Sequence, residues 1–204
     1  MQKTLAVLAL VAVIFGGGFY VGYHAPRNID PQDYMETHFM PYESGIDAYL
    51  KFLDGTKKSL RVANYELSDP RIVDKVLELK QQRGISDIKF LLDKSQTVSR
   101  SGKYEQALIK RLRDAGIEVV IGTSEQKHNI MHLKATERDG EWVEDGSWNS
   151  SKSANTQAND MNIVHSPKRA AMYLANWNKM YAFMITQDQN PWLKPDPADK
   201  DDDK

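Results

Sequence analysis

Apolar residues are spaced along this chain in three distinct ways. Residues 5–23, LAVLALVAVIFGGGFYVGY, run without a single charge. A helix of that length, at ~1.5 Å per residue, just spans the ~30 Å hydrocarbon core of a bilayer. Only Lys3 and the amino terminus precede it, like the short positive start of an export signal. A helix apolar on every side suits a membrane better than a protein surface. Residues 1–25 are therefore expected to form one N-terminal hydrophobic helix, a signal-anchor, with a cleaved signal peptide as the rival reading. The nearest cleavage candidate puts bulky Tyr23 where a small residue is wanted. Lys3 and Arg27 nearly balance across the segment, and the amino-terminal charge tips the body towards the extracytoplasmic side. In a bacterium that side is the periplasm, and cleavage would make the protein an exported soluble one.

Residues 26–41 read as a linker, and from 42 onward the periodicity alternates between that of helices and that of strands. Ile46, Tyr49, Leu50 and Leu53 recur at helical spacing until Asp54-Gly55 ends the run. Residues 59–67 read as a strand, and Asp69-Pro70 opens a helix whose stripe is Ile72, Val73, Val76, Leu77 and Leu79. A buried strand at 88–92, an amphipathic helix at 103–115 closed by Gly116, and a strand at 117–121 follow. Residues 129–136 and 141–145 predict a hairpin turning at Asp139-Gly140, then come a strand at 161–165 and a long helix at 167–185. This order predicts an α/β domain over 42–189: a mixed, mostly parallel sheet flanked by helices. The end, 190–204, carries three prolines and a run of aspartates and reads as a disordered acidic tail.

The 204 residues include 27 Lys+Arg, 28 Asp+Glu and no cysteine. The missing thiols exclude disulfides, thiolate metal sites, iron–sulfur clusters and cysteine nucleophiles. Near-neutral net charge argues against a surface coated in cations for nucleic-acid backbones. One segment departs from the average: between 93 and 113, Lys94, Arg100, Lys103, Lys110, Arg111 and Arg113 oppose only Asp93 and Glu105. Its first half follows a strand, on the side where open α/β sheets bind ligands. Lys94, Arg100 and Lys103 are thus candidate contacts to a phosphate backbone.

Candidate chemistry begins at the hairpin. Residues two apart in a strand share a face, so His132 and Lys134 are expected side by side. An imidazole can attack phosphorus while a fixed ammonium neutralises the phosphoryl group that otherwise repels it. Asp139 follows Lys134 by five residues, and after six intervening residues comes Gly146-Ser147-Trp148-Asn149. Gly146 permits close backbone approach, while Ser147 and Asn149 offer neutral donors to phosphate oxygens. Residue frequencies alone would place H-x-K-x4-D in such a chain with a probability of ~0.04; the glycine, serine and asparagine offsets lower it to roughly 10⁻⁵.

That combination resembles the H-x-K-x4-D-x6-G-S signature of the phospholipase D superfamily, matched by His132, Lys134, Asp139, Gly146 and Ser147. With one copy of the motif, the chain is similar to small bacterial endonucleases and to the mitochondrial-type cardiolipin hydrolase/nuclease branch. The resemblance implies the phospholipase D/nuclease-like fold, a phosphohistidine formed on His132, and no metal or other cofactor. It also implies a homodimer whose two motifs share one cleft, the second chain's histidine acting as acid and base. Lys134, Asn149 and Ser147 would hold the phosphate. Asp160 stands where family members carry a glutamate that orients the nucleophilic imidazole, and Asp139 and Gly146 would be structural. His128, just before the motif, and Trp148, within it, are further candidates for substrate contact. The polar run Ala135-Thr136-Glu137-Arg138 is unusual for a central strand and predicts a shorter strand or a more exposed end.

The implied function is a metal-independent endonuclease acting on DNA or RNA, held at a membrane by its N-terminal helix. The alternatives are a membrane-anchored phospholipase D acting on cardiolipin or a related lipid, and a non-catalytic binding protein on the same fold.

Overall fold

The computed structural model describes residues 33–97, 102–126 and 128–187. The apolar stretch at 5–23, the acidic end from 190 and Arg100 lie outside them.

Three helix–strand units come first after an edge strand. Strand β1 (Tyr34–Met40) leads to α1 (Gly45–Asp54), β2 (Ser59–Asn64), α2 (Pro70–Gln81) and β3 (Asp87–Asp93). A short α3 (Lys94–Thr97), α4 (Lys103–Asp114) and β4 (Glu118–Gly122) follow. The helix starts obey local chemistry: the Ser44, Asp69 and Ser166 side chains accept from backbone amides of the first turn. Pro70 and Pro167 occupy first positions, where an amide hydrogen has no partner to lose. The hairpin β5 (Lys134–Arg138) and β6 (Trp142–Gly146), then β7 (Asn159–His165) and α5 (Pro167–Met184), complete the domain. Asp139 and Gly140 both have positive φ, 62° and 77°. That pairing makes the two-residue turn whose twist matches the flanking strands.

The seven strands lie in the order β1-β7-β6-β5-β2-β3-β4. Only β2/β3 and β3/β4 pair in parallel, whereas β2/β5, β5/β6, β6/β7 and β1/β7 are antiparallel. The α/β sheet is therefore mixed but not mostly parallel by pairing. A two-residue hairpin can join only antiparallel neighbours, and the long crossovers that parallel pairs need exist only around α2 and α4.

Two further expectations change. Residues 34–40, taken as linker, form β1 on the sheet edge. From Tyr34 to Phe39 its side chains are exposed or half-exposed on both faces, and only Met40 at its end is buried, so the period-2 signal that marks a half-buried strand is absent. The polar strand β5 is not exposed: all five residues are buried. Thr136 Oγ1 meets the Tyr49 hydroxyl at 2.7 Å, and Arg138 donates to the Phe52 carbonyl at 2.7 Å. Buried polar groups are tolerated where they are bonded, and α1, packed on this face of the sheet, supplies both of these partners.

The core has two layers. On one face α1, α2 and α4 pack Tyr49, Phe52, Leu53, Ile72, Val76 and Leu112 against Leu60, Val62, Phe90, Leu92, Val119 and Ile121. On the other, α5 sets Trp177 and Met184 against Ala63, Leu91 and Val120. Strands covered on both faces read as continuous apolar runs, as β3 and β4 do.

Candidate active site

The motif residues assemble where the carboxyl ends of β2 and β3 meet the start of β5. The Tyr65 amide donates to the Leu133 carbonyl at 2.9 Å, stitching the residue after β2 to the segment between His132 and Lys134. His132 lies just before β5 rather than inside it, and is exposed. Its ring meets that of Tyr65 edge to face, centroids 4.6 Å apart. Lys134 Nζ sits 5.0 Å from the same ring centre and donates to the His132 carbonyl at 2.9 Å. Tyr65 is thus the surface on which imidazole and ammonium converge. Burial lowers the Lys134 pKa, against the opposing pull of the Glu66 and Asp93 charges. A half-desolvated ammonium with spare donors interacts strongly with any anion brought to it.

A second set of contacts holds the loop after β6. Gly146 has φ 153°, and a Cβ there would stand 2.4 Å from the Asp160 carbonyl oxygen. Ser147 and Trp148 amides donate to that oxygen at 3.1 and 3.2 Å. The Ser147 hydroxyl donates to Asp160 Oδ1 and accepts from the Asp160 amide. Asn162 Nδ2 lies 3.4 Å from Asp160 Oδ2. The Asp160 carboxylate therefore holds Ser147, and among the described residues no hydrogen bond joins it to His132. Ser150 ties the loop to β2: its carbonyl accepts from the Ser68 and Asp69 amides, and its hydroxyl from Asn64 Nδ2 at 2.6 Å. Between these anchors, Asn149 Oδ1 is shielded from solvent and has no hydrogen-bond partner among the described residues.

The remaining candidates separate by place. Trp148, a candidate for substrate contact or for the core, takes the core: it is 2 % exposed, with its ring 5.4 Å from Tyr49. Asp139 lies at the opposite end of the hairpin from Lys134, where its carboxylate accepts from the amides of Lys57, Lys58 and Ser59. His128 is exposed with φ 65°, in the loop before the motif. Lys94 opens α3, directly after Asp93, and exposed Lys103 opens α4.

Two site residues escaped the motif. Asp93 is wholly buried, and its Oδ2 accepts from the Met131 amide at 2.6 Å, immediately before His132. Its Oδ1 accepts from Ser95 N at 2.8 Å. Tyr65 is the other. Both sit at strand ends far from the motif in sequence, and the only sequence signal for Asp93 was an acid opening a basic segment. An apolar cavity of about 480 Å³ adjoins His132, walled by Ile130, Leu133, Met180 and Phe183, with Lys179 at its edge. Among the described residues no group of three or more His, Asp or Glu side chains is placed to hold a metal.

Residues 49–181 match the family model described as cardiolipin synthase, PLD-like domain. The chain belongs to the phospholipase D superfamily. Among solved structures, Nuc from Salmonella typhimurium, itself a phospholipase D family member, is similar at 25 % identity and a TM-score of 0.65. The match covers 74 % of this chain and 95 % of that one. NucT from Helicobacter pylori matches at 17 % identity and the same TM-score, covering 74 % and 97 %. Phosphatidylserine synthase from Haemophilus influenzae matches at 12 % identity and a TM-score of 0.59, covering 84 % of this chain but 45 % of its own. The last two share the fold alone. No curated protein matches the sequence. The mixed seven-stranded sheet flanked by helices is thus the phospholipase D/nuclease fold, a scaffold for phosphodiester chemistry.

Proposed function

We propose that the chain is a phosphodiesterase acting as a metal-independent endonuclease on DNA or RNA. The observation that carries this reading is the convergence of exposed His132 and buried Lys134 on Tyr65. It pairs a nucleophile reachable from solvent with a cation already stripped of part of its water. The His132 imidazole attacks phosphorus; as the N–P bond forms, the P–O bond to the leaving group breaks. The histidine of a second copy, paired about a two-fold axis, protonates the departing oxygen. That imidazole then takes a proton from water, whose oxygen attacks phosphorus and frees His132. Lys134 neutralises the phosphoryl charge and Asn149 Nδ2 donates to the non-bridging oxygens, while Ser147, whose hydroxyl proton goes to Asp160, braces the loop that carries Asn149. The N-terminal apolar segment would keep the enzyme at a membrane, with its body outside the cytoplasm. Support for a nuclease over a lipid enzyme comes from size: the chain spans almost all of Nuc and NucT but under half of phosphatidylserine synthase.

A second reading, a phospholipase D acting on cardiolipin or a related lipid, draws on the apolar cavity beside His132, which has room for part of an acyl chain. Incubation with single- and double-stranded DNA and RNA in EDTA decides between them. Cleavage by the wild type and none by His132→Ala is expected. Intact nucleic acid in both, with phosphatidic acid released from cardiolipin liposomes by the wild type alone, would give the lipid reading instead.

A further inference from the structure

Arg138 stands at the end of β5 away from Lys134, about 13 Å off at ~3.3 Å per strand residue. It is 8 % exposed, and its guanidinium lies 4.8 Å from the ring centres of both Phe52 and Trp142. One donor reaches the Phe52 carbonyl, while Nε is buried and finds no acceptor among the described residues. No carboxylate among the described residues forms an ion pair with it. A buried cation in that state is costly unless an anion meets it.

Strand register explains what surrounds it. Arg138 pairs with Trp142, Trp142 with His165, and His165 with Tyr34, so these four form one row across the face that α1 covers. Glu36 stands in the next row of β1, and α1 brings Phe52 and exposed Lys51 over the end. Between them opens a cavity of about 380 Å³ lined by Tyr34, Glu36, Lys51, Phe52, Arg138 and Trp142. Ligand sites begin near ~300 Å³. Aromatic walls, two cations and one carboxylate match a planar base, a phosphate and sugar hydroxyls in turn. Past Trp142 a second cleft of about 350 Å³ shares Arg138 and is lined by Lys57 and Lys58 together with Asp139 and Glu141, so its charges nearly balance.

We infer that this cavity is a second binding site, separate from the His132 cleft, that takes a nucleotide unit. The base stacks on the exposed Tyr34 ring beside Trp142, whose own ring already meets Arg138 and His165; the phosphate meets Arg138 and Lys51, and the Glu36 carboxylate, which accepts from the Tyr34 hydroxyl, also accepts from the sugar hydroxyls. The site stands whether or not His132 proves to be the nucleophile.

The test uses the full-length chain and its His132→Ala variant, which cannot consume the probe if the proposed chemistry holds. Binding of AMP, adenosine, glycerol phosphate and a DNA tetranucleotide is followed by calorimetry and by quenching of tryptophan fluorescence. AMP is expected to bind both proteins equally, and adenosine and glycerol phosphate about 10-fold more weakly, since each lacks half of the recognised chemistry. Lys51→Glu, on an exposed helix position, is expected to weaken AMP by about 10-fold or more while leaving hydrolysis of a small phosphodiester unchanged. Arg138→Gln should do the same if it folds. A tetranucleotide binding more tightly than AMP would identify a nucleic-acid strand as the source, and equal affinity a free nucleotide. Glycerol phosphate as tight as AMP, AMP binding indifferent to Lys51→Glu, or binding lost with His132→Ala would each overturn the site.

Discussion

Asp93 does more for the candidate site than its place outside the motif implies. Its carboxylate fixes the Met131 amide, and so the backbone from which His132 projects. Asp93→Asn keeps the volume but can turn a donor towards that amide, leaving Met131 N–H without its acceptor in a buried place. Displacement of the imidazole by a fraction of an ångström is expected to lower kcat by on the order of 10–100-fold with a smaller change in KM. Steady-state kinetics on a small phosphodiester, with Asp93→Glu as a partial rescue, reads this directly. An Asp93→Asn enzyme with wild-type kcat would remove the positioning role. The same logic explains what the sequence showed of the site. His132, Lys134, Ser147 and Asn149 stand at diagnostic spacings because one hairpin carries them. Asp93 and Tyr65 come from other strands, and no spacing rule reaches across a sheet.

The hairpin of β5 and β6 has chemistry at one end and a clamp at the other. Asp139, in the left-handed region at the turn, gathers the amides of Lys57, Lys58 and Ser59 and so ties the hairpin to the start of β2. Asp139→Ala leaves three amides without an acceptor and is expected to cost about 1–3 kcal/mol. The outcome to look for is a lower melting temperature with activity per folded molecule unchanged at 25 °C; a variant that melts with the wild type would sink the clamp. Elements differed in legibility for a similar local reason. Helices α2 and α4 and the hairpin turn were plain because caps, apolar stripes and Asp-Gly all lie within a few residues. Strand β1 was not, since an edge strand half-exposed on both faces leaves no alternation to read.

Burial of acids gives the whole domain a pH dependence. Glu105 is buried and accepts from the Leu67 amide, and burial, aided by the Glu66 and Asp93 charges, pushes its carboxyl up to about 8. Glu144, fully buried beneath the sheet, is pushed well above its ordinary value by burial and by Asp145. A raised carboxyl keeps its proton in the fold after the unfolded chain has released it, so the unfolded state binds fewer protons and stability falls as pH rises. For Glu105 the window runs from the ordinary value of 4.5 to about 8. Asp69 and Glu118, whose carboxyls are lowered, act below that window. Melting temperature is therefore expected to fall between pH ~5 and ~8, with a shallower slope in Glu105→Gln. Equal slopes for both proteins would assign the effect elsewhere.

Periodicity, caps and one motif were enough to read from the chain an α/β phospholipase D-like domain with His132 and Lys134 at its centre. Those signals are local, written within a turn of helix or a pair of strands. Pairing direction, the burial of polar β5, the withdrawal of Trp148 into the core and the row from Arg138 to Tyr34 emerged only on folding. Each depends on which strands become neighbours, and neighbours in a sheet are chosen by packing over the whole molecule rather than by adjacency in the chain.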